Sequence, residues 1–424
     1  MVKLKNSESS AVTLDGILMS VFWLLTRLAM AWIWFFRTRF VEADVHYYFD
    51  QTAKSIASGQ PGLIEYPPPI AWLMRLIYEG SFGNLAAFET IFVALILILD
   101  AAVTFFLWRR SSWQAAIYWT LFIFLVGPIT WFRIDMLPAA AVVFALVLIN
   151  SDSKIGQFFS GASIAIGAAV KLWPAMLISG LVGRSDKAKN RLAGFLSVGM
   201  FLGLASLLVA GWSGSTSALT WQSDRGVQIE SLAATPAMVD RAFSDGSGYM
   251  VHLSKYNAWE IAWQGDELAL KMSDLALGVT VLFAVFVAIQ LLRKKAELAG
   301  SDEHSAAVTF AVLAIILAVI ATNKTLSPQY IIWLAGPLAI LCNKTDRTRG
   351  LATPVLAILG LIVAVGTQMV YPMNYAQLLA DQPGKSATMI LLARNTLLAV
   401  MTLVSIFLAT KKLLSLENIK TRSH

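Results

Sequence analysis

The chain has 424 residues, of which 57% are hydrophobic and only 14% are charged. Because a soluble domain carries about 25% charged residues, this composition excludes a soluble globular protein and indicates a polytopic membrane protein. The formal net charge is +7, but Lys and Arg stand in short clusters between apolar runs. Such clusters orient helices among membrane lipids rather than bind nucleic acid. The single Cys342 excludes an internal disulfide.

The first predicted element is a membrane helix near the N-terminus. Lysines precede an apolar run, as in a signal peptide, but no small-residue cleavage site follows and aromatic residues continue to Phe36. We therefore predict a retained helix. Further apolar runs approach the roughly 20 residues that a bilayer requires. The clearest of these runs are 85–107, 192–211, 274–292, 305–322, 351–371 and 386–410.

The basic clusters predict the topology, because cytoplasmic loops are enriched in Lys and Arg. The clusters are Lys3 and Lys5, 109–110, 184–191, 293–295, 344–349 and the stretch from 411 onward. With all of them inside, both termini are cytoplasmic, in the plasma membrane. The connections predicted to be external are 37–83, 128–136, 213–273, 323–327 and 372–385.

The segment 160–182 does not fit a single crossing, because one crossing would export the basic cluster that follows it. Lys171 and Pro174 interrupt the segment, and proline breaks a helix. We predict two short half-helices, out and back, with Lys171 near the turn, in protein or beside a wet cavity. The whole chain, 1–424, is then one all-α polytopic membrane domain with about 12 transmembrane segments.

Polar and charged residues collect in the predicted external connections. A charged side chain at membrane depth costs a few kcal/mol, so function or pairing usually explains it. Several clusters on one face predict a polar cavity that opens outward, and the connection 213–273 is long enough to fold over it. The candidate residues are Asp44, His46, Glu65, Tyr66, Arg133, Asp135, Lys171, Asp224, Arg225, Gln228, Glu230, Lys324, Gln329 and Tyr330.

Several candidates also have a structural alternative. Asp44 could cap the following helix or pair with Arg39, and Arg133 could pair with Asp135. Lys171 could reach the membrane boundary by its own length.

Other candidates could act only in support. His46 is expected to be a supporting hydrogen-bonding group, and Tyr66 with its three prolines could only stiffen the loop. The run 224–230 could be a solvated helix face. No cluster of Cys, His or Asp indicates a tightly held metal, so we expect no metal and no other cofactor.

Six short motifs follow one another along the chain. They are Asp44-Val-His46-Tyr-Tyr, Tyr66-Pro-Pro-Pro, Arg133-x-Asp135, Lys171-x-x-Pro174, Asp224-Arg225-Gly-x-Gln228-x-Glu230 and Asn323-Lys324-x-x-Ser-Pro-Gln329-Tyr330. Together they resemble glycosyltransferase family 87, of the C-type superfamily with external catalytic loops, and the resemblance covers residues 14 to about 375.

The resemblance implies an inverting mannosyltransferase of actinobacterial envelopes. Such an enzyme takes mannose from a polyprenyl-phosphate donor outside the membrane and passes it to a lipid-linked or glycan acceptor, such as a phosphatidylinositol mannoside. It also implies that Asp44 is the catalytic base.

The residues fit this chemistry but do not name the sugar. Inverting transfer needs one carboxylate to take the proton of the acceptor hydroxyl. The leaving phosphate needs cations, and Arg133, Lys171, Arg225 and Lys324 are the predicted ones. A donor carrying arabinofuranose or glucose fits equally well.

Two other classes of protein remain alternatives. A secondary transporter or flippase of lipid-linked sugars shares the broken helix and the intramembrane charges. A non-catalytic scaffold for envelope synthesis would not need so many external charges. No motif of residues 1–200 recurs in 213–424, and the charges gather outside, so we favour chemistry at the membrane surface.

Overall fold

The computed structural model describes residues 3–223, 225–294, 301–343, 350 and 352–416. Its helices are α1 (Lys3–Arg37), α2 (Ala43–Ser58), α3 (Pro68–Gly80), α4 (Leu85–Arg110), α5 (Trp113–Val126), α6 (Met136–Leu148), α7 (Lys154–Val170), α8 (Asp186–Ser223), α9 (Thr235–Phe243), α10 (Asp266–Arg293), α11 (Asp302–Thr322), α12 (Ala335–Leu341), α13 (Ala352–Gln368), α14 (Tyr375–Leu379) and α15 (Lys385–Ser415). Two strands, β1 (Met250–Leu253) and β2 (Trp259–Ala262), form an antiparallel hairpin. Short helical turns stand at Arg39–Glu42, Pro128–Trp131, Trp173–Gly180, Pro328–Leu334 and Met369–Met373.

Seven helices of the described residues are long and apolar enough to cross a membrane. They are α1, α4, α8, α10, α11, α13 and α15. Each of the six apolar runs predicted as spans falls on one of these helices, and α1 is the predicted first helix. The protein is a largely helical polytopic membrane protein. A total of about 12 segments also requires the shorter apolar helices to cross, and it stays a prediction.

The helices define two ends of the molecule. We call the end at which α1, α5, α7, α8, α11 and α13 finish the cavity end, because the polar loops meet there. The helices α4, α10 and α15 finish at the opposite end, where their last turns carry Arg109, Arg110, Arg293 and Lys412. The described basic clusters and the polar loops therefore lie at opposite ends, which is the distribution that the predicted topology requires.

The segment 154–181 runs out and back. α7 stops at Lys171, whose backbone is extended (φ −142°, ψ 139°), and a 3-10 turn follows. The guanidinium of Arg191 donates to the carbonyl oxygen of Leu181 (2.9 Å) and to the side chain of Gln157 (2.6 Å). The chain at residue 181 has thus returned to the level of residue 157. This course agrees with the predicted turn at Lys171, although the return arm is a 3-10 turn and not an α half-helix.

The helices α7 and α8 run side by side in the same direction and touch through glycine. A Cβ on Gly161 would lie 1.7 Å from the carbonyl oxygen of Arg191, and a Cβ on Gly194 would lie 1.9 Å from that of Phe158. Only a residue without a side chain permits this approach, which small residues commonly provide between membrane helices. Only 11% of the apolar stretch of α8 is buried, so α7 supplies most of its packing and the rest faces lipid.

The predicted first external loop, 37–83, folds into two helices. Gly59 ends α2 in the left-handed conformation (φ 68°), which glycine adopts without steric cost. Pro67 and Pro68 occupy the N-cap and first turn of α3, where proline has no hydrogen bond to lose. The proline run therefore begins a helix as well as stiffening the loop.

The region between α8 and α10, residues 225–265, forms a cap at the cavity end. Its hairpin pairs Val251 with Ile261, and it shares a small apolar core with Leu391 of α15. This hairpin corrects the all-α prediction locally. Within the predicted loop 213–273, the last residues of α8 up to Ser223 follow a break at Gly211 (φ 65°, ψ −175°), and α10 begins at Asp266.

Candidate active site

A cavity of about 560 Å³ lies at the cavity end, beneath the cap. We call it the polar cavity. Its wall is formed by α2, by the loops before α3 and α6, by the turn after α7, and by the ends of α8, α11 and α13. Ten of the fourteen candidate residues line it, namely Asp44, Glu65, Tyr66, Arg133, Lys171, Arg225, Gln228, Glu230, Gln329 and Tyr330.

Asp44 and Arg133 form an ion pair in this wall. Asp44 lies in the first turn of α2, with 26% of its side chain exposed, and Arg133 lies just before α6, with 9% exposed. Two predicted alternatives are therefore wrong. Asp44 does not pair with Arg39, which stacks on Trp34 instead, and Arg133 does not take Asp135 as its salt-bridge partner. A carboxylate held by a guanidinium accepts a proton poorly, so base chemistry at Asp44 requires another anion for Arg133.

Asp135 lies behind the wall and holds Lys171. The Lys171 ammonium donates to both carboxylate oxygens of Asp135, at 2.8 and 2.9 Å, and the indole of Trp333 donates to one of them at 2.8 Å. Only 1% of the Asp135 side chain is exposed. Asp135 thus positions Lys171 and does not line the cavity itself, which corrects its assignment to substrate binding.

An aromatic stack continues from this ion pair along the wall. The ring of Trp333 lies 4.4 Å from that of Trp173 on one side and 4.4 Å from that of Tyr330 on the other. The Lys171 ammonium lies 4.6 Å from the centre of the Tyr330 ring, which adds a cation–π contact. Sequence reasoning found Tyr330 but missed both tryptophans. Their position beside Lys171 and Tyr330 in the sequence was the available signal.

Arg225 is the third cation of the cavity, and it comes from the cap. Its guanidinium lies 5.7 Å from the ring of Tyr256, and within the described residues it makes no ion pair. Its Nε–H donates to no described group. Since Arg133 and Lys171 already hold carboxylates, Arg225 has the most available charge for an anionic ligand.

Glu65 lies in the turn between α2 and α3. Both of its carboxylate oxygens are buried, and neither accepts a hydrogen bond from a described residue. Burial raises the pKa of Glu65, while the nearby Tyr47 hydroxyl and Arg225 guanidinium act in the opposite direction. Burial also raises the pKa of the Tyr47 and Tyr66 hydroxyls, so both stay neutral and can donate hydrogen bonds.

Glu230 links the cap to α15. The Arg394 guanidinium donates to a carboxylate oxygen of Glu230 at 2.7 Å and to its backbone carbonyl at 2.8 Å, and the Asn395 amide donates to the same carbonyl at 3.1 Å. The side chains of Glu230 and Arg394 are fully buried. Glu230 thus positions the cap, and it also lines the cavity with its second carboxylate oxygen free of any described hydrogen-bond partner, so its assignment to substrate binding stays a prediction. Arg394 was missed because nothing near it in the sequence resembles a site.

Of four further candidates, one lines the cavity. His46 faces away from the cavity towards Glu89, at 3.5 Å. The ammonium of Lys324 lies 4.0 Å from the carboxylate of Asp274, and the residue does not line the cavity. Gln228 does line it and donates its backbone N–H to the Lys324 carbonyl oxygen at 2.9 Å. Asp224 lies outside the described residues.

Several buried polar atoms of the wall have no hydrogen-bond partner among the described residues. Besides Glu65 and Arg225 they include the side-chain oxygen of Gln329 and the indole N–H of Trp173. Buried polar groups are nearly always satisfied in proteins, so these atoms indicate a polar ligand. Cations, acceptors and aromatic rings in one cavity suit a ligand that has an anionic group and hydroxyl groups. The described residues contain no group of three potential metal ligands.

Comparison with known proteins gives one family. The model of glycosyltransferase family 87 matches residues 64–317, which is more than half of the chain. The match is narrower than the resemblance claimed from the motifs. It includes Glu65, Arg133, Lys171 and Arg225 but begins after Asp44. No curated protein and no solved structure matches the chain.

Proposed function

The chain belongs to glycosyltransferase family 87, and from that premise we propose that it transfers a mannosyl residue from a polyprenyl-phosphate donor to a lipid-linked or glycan acceptor. The observation that carries the proposal is that Asp44 and three cations line one cavity. A carboxylate base and a site for the leaving phosphate are the two chemical requirements of inverting transfer.

The reaction then follows from these groups. The acceptor hydroxyl oxygen attacks the anomeric carbon from the face opposite the phosphate, and its proton goes to Asp44. The bond between the anomeric carbon and the phosphate oxygen breaks, and its electron pair stays on the phosphate. Arg225 binds the phosphate first, and the phosphate then draws Arg133 away from Asp44. Lys171, fixed by Asp135, adds positive charge beside the leaving group.

We place this reaction on the external face of the plasma membrane, with both termini in the cytoplasm. The support is the separation of the basic clusters from the polar cavity, since clusters of Lys and Arg remain inside. When α5, α6, α7, the return arm 173–180 and α12 are counted as passes beside the seven long helices, the described chain makes twelve. An even number of passes returns the chain to the side on which it began.

The test is transfer by the purified protein in nanodiscs. Radiolabelled polyprenyl-phosphate mannose is compared with the glucose and arabinofuranose donors, and phosphatidylinositol mannosides serve as acceptors. We expect mannosyl transfer with inversion at the anomeric carbon, unchanged by a chelator. Preference for another donor would retain the transferase but replace the sugar. Movement of the lipid-linked sugar across vesicles without transfer would support the flippase instead.

A further inference from the structure

Glu65 differs from the other carboxylates of the polar cavity. Asp44 is held by Arg133 and Glu230 is held by Arg394. Both oxygens of Glu65 are buried and have no hydrogen-bond partner at bonding distance among the described residues, although the Tyr47 hydroxyl and the Arg225 guanidinium lie close enough to lower its pKa. A buried carboxylate without hydrogen bonds lowers the stability of a folded protein. A ligand that supplies the missing donors would remove this penalty.

The turn that carries Glu65 is held rigidly. Leu63 is buried and adopts positive φ (53°), and its carbonyl oxygen accepts the Tyr66 backbone N–H at 3.0 Å. A Cβ on Gly62 would lie 2.7 Å from the backbone oxygen of Gln51 in α2, so this turn packs directly on that helix. Pro67 is the N-cap of α3 and restricts the residue before it, Tyr66. The backbone on both sides of Glu65 is therefore fixed against α2 and α3.

The chemistry of the carboxylate restricts what it can bind. A carboxyl group has two oxygens side by side: both accept hydrogen bonds when the group is ionised, and one donates while the other accepts when it is protonated. Two neighbouring hydroxyls of a sugar ring match the two oxygens in either state, and the nearby Arg225 guanidinium leaves room for the phosphate of the same ligand beside them. The neutral hydroxyl of Tyr47 lies nearby in the same wall.

We propose that Glu65 binds two adjacent hydroxyls of one sugar in the transfer reaction and so selects a fully hydroxylated sugar over a deoxy sugar. This inference rests on the proposed function, because it assumes that a sugar occupies the polar cavity. The sugar belongs either to the donor or to the acceptor. Asp44 acts on the proton of the attacking hydroxyl, whereas Glu65 contacts hydroxyls that do not react.

The experiment compares sugars that lack one hydroxyl each. Monodeoxy donors and monodeoxy acceptors are tested in separate arms, and kcat/KM is measured for the wild type, Glu65→Ala and Glu65→Gln. Loss of a hydroxyl that contacts Glu65 should reduce the wild-type kcat/KM roughly tenfold to a hundredfold. Loss of the same hydroxyl should reduce the kcat/KM of Glu65→Ala by less than about twofold, because this variant already lacks the carboxyl partner. The arm in which this difference appears identifies the sugar.

Two controls keep the result interpretable. Glu42→Gln removes a charge from the same loop, where Glu42 accepts a hydrogen bond from Trp34 and does not line the cavity; the deoxy penalties should be unchanged. Glu65→Gln keeps the shape and one acceptor and should show an intermediate penalty, and it replaces the alanine variant if that variant does not fold.

The outcomes separate this inference from the proposed function. If the wild type transfers sugar but all deoxy penalties are the same in both Glu65 variants, the inference is wrong and the transferase stands. If the wild type transfers nothing, the proposed function fails. In that case the affinities of the wild type and of the Glu65 variants for intact and deoxy lipid-linked sugars are measured in nanodiscs. The ratio of the two affinities in each protein then tests the role of Glu65.

Discussion

The cations of the polar cavity differ in how much of their charge is already used. Asp44 holds Arg133 and Asp135 holds Lys171, so a phosphate must compete with a carboxylate at either site. Arg225 makes no ion pair within the described residues; it lies 5.7 Å from the Tyr256 ring and near the Glu65 carboxyl group. Of the predicted cations we therefore expect Arg225 to bind a phosphate more readily than Lys171, because the Lys171 ammonium already donates to Asp135, which lies 36 residues away along the chain.

Replacing Asp44 by Asn should abolish transfer and leave donor binding largely intact. The amide keeps the shape but cannot take the proton, and loss of a general base typically costs about a hundredfold to ten-thousandfold in rate. Single-turnover rates and donor affinity in nanodiscs measure the two effects. Asp50→Asn is the matched control, because Asp50 is exposed on the same helix and does not line the cavity. A turnover above about a tenth of wild type would contradict the role.

Replacing Arg225 by Met should weaken donor binding roughly tenfold or more, because a charge-assisted contact to the phosphate is lost. The loss should be larger for the phosphorylated lipid than for a neutral analogue. Lys324→Met is the matched control, since Lys324 lies outside the cavity wall, and it should change donor affinity much less. Equal losses in the two variants would return Lys324 to the phosphate site.

At the level of elements, α15 holds the cap in place through Arg394. Replacing Arg394 by Met leaves Glu230 as a buried unpaired charge, which should reduce the free energy of unfolding by about 3 to 5 kcal/mol. The exposed pair Arg75–Glu79 on α3 provides the control: Arg75→Met should cost roughly 0.3 to 0.5 kcal/mol. Denaturant unfolding in detergent compares them.

A double variant separates charge from packing at this site. Glu230→Leu combined with Arg394→Met removes both charges, so most of the lost stability should return. If the double variant is no more stable than Arg394→Met, the buried charge is not the cause.

The contact of α7 with α8 should tolerate no side chain. Gly161→Ala places a methyl group 1.7 Å from a backbone oxygen, so the helices must separate and the protein should unfold at a lower temperature. Gly203→Ala on α8 meets nothing within 4 Å and should be neutral or raise the stability by about 0.5 to 1 kcal/mol, because alanine favours a helix. Equal thermal shifts in the two variants would show that this close contact is unimportant.

The sequence predicts those elements that depend on residues close together in the chain, and it does not predict contacts between residues that are far apart in the chain. Membrane helices such as α4 and α11 follow from local hydropathy, and the turn at Lys171 follows from a local proline. Arg394, the partner of Glu230, lies 164 residues away along the chain, and Lys171, the partner of Asp135, lies 36 residues away. Nothing local marks such pairs, so sequence reasoning treated both carboxylates as substrate ligands. The hairpin was missed because β1 and β2 are four residues each.

At the scale of the whole molecule, the two ends should face opposite sides of the membrane. In a background with Cys342 replaced by Ala, single cysteines at Ser58 and Gln382 should react with an impermeant thiol reagent added outside intact cells. Cysteines at Ser111 and Asp186 should react only after permeabilisation, because they lie at the end that carries the basic clusters. Labelling of position 186 from outside would show that the chain does not return to the cytoplasmic side after Lys171.

The bond between Glu230 and Arg394 also has a consequence for biosynthesis. The two residues are 164 positions apart, so Glu230 leaves the ribosome long before its arginine is translated. Until α15 enters the bilayer, the cap lacks both this partner and the contact with Leu391. We therefore expect the cap to be fixed over the polar cavity only after synthesis has passed residue 394.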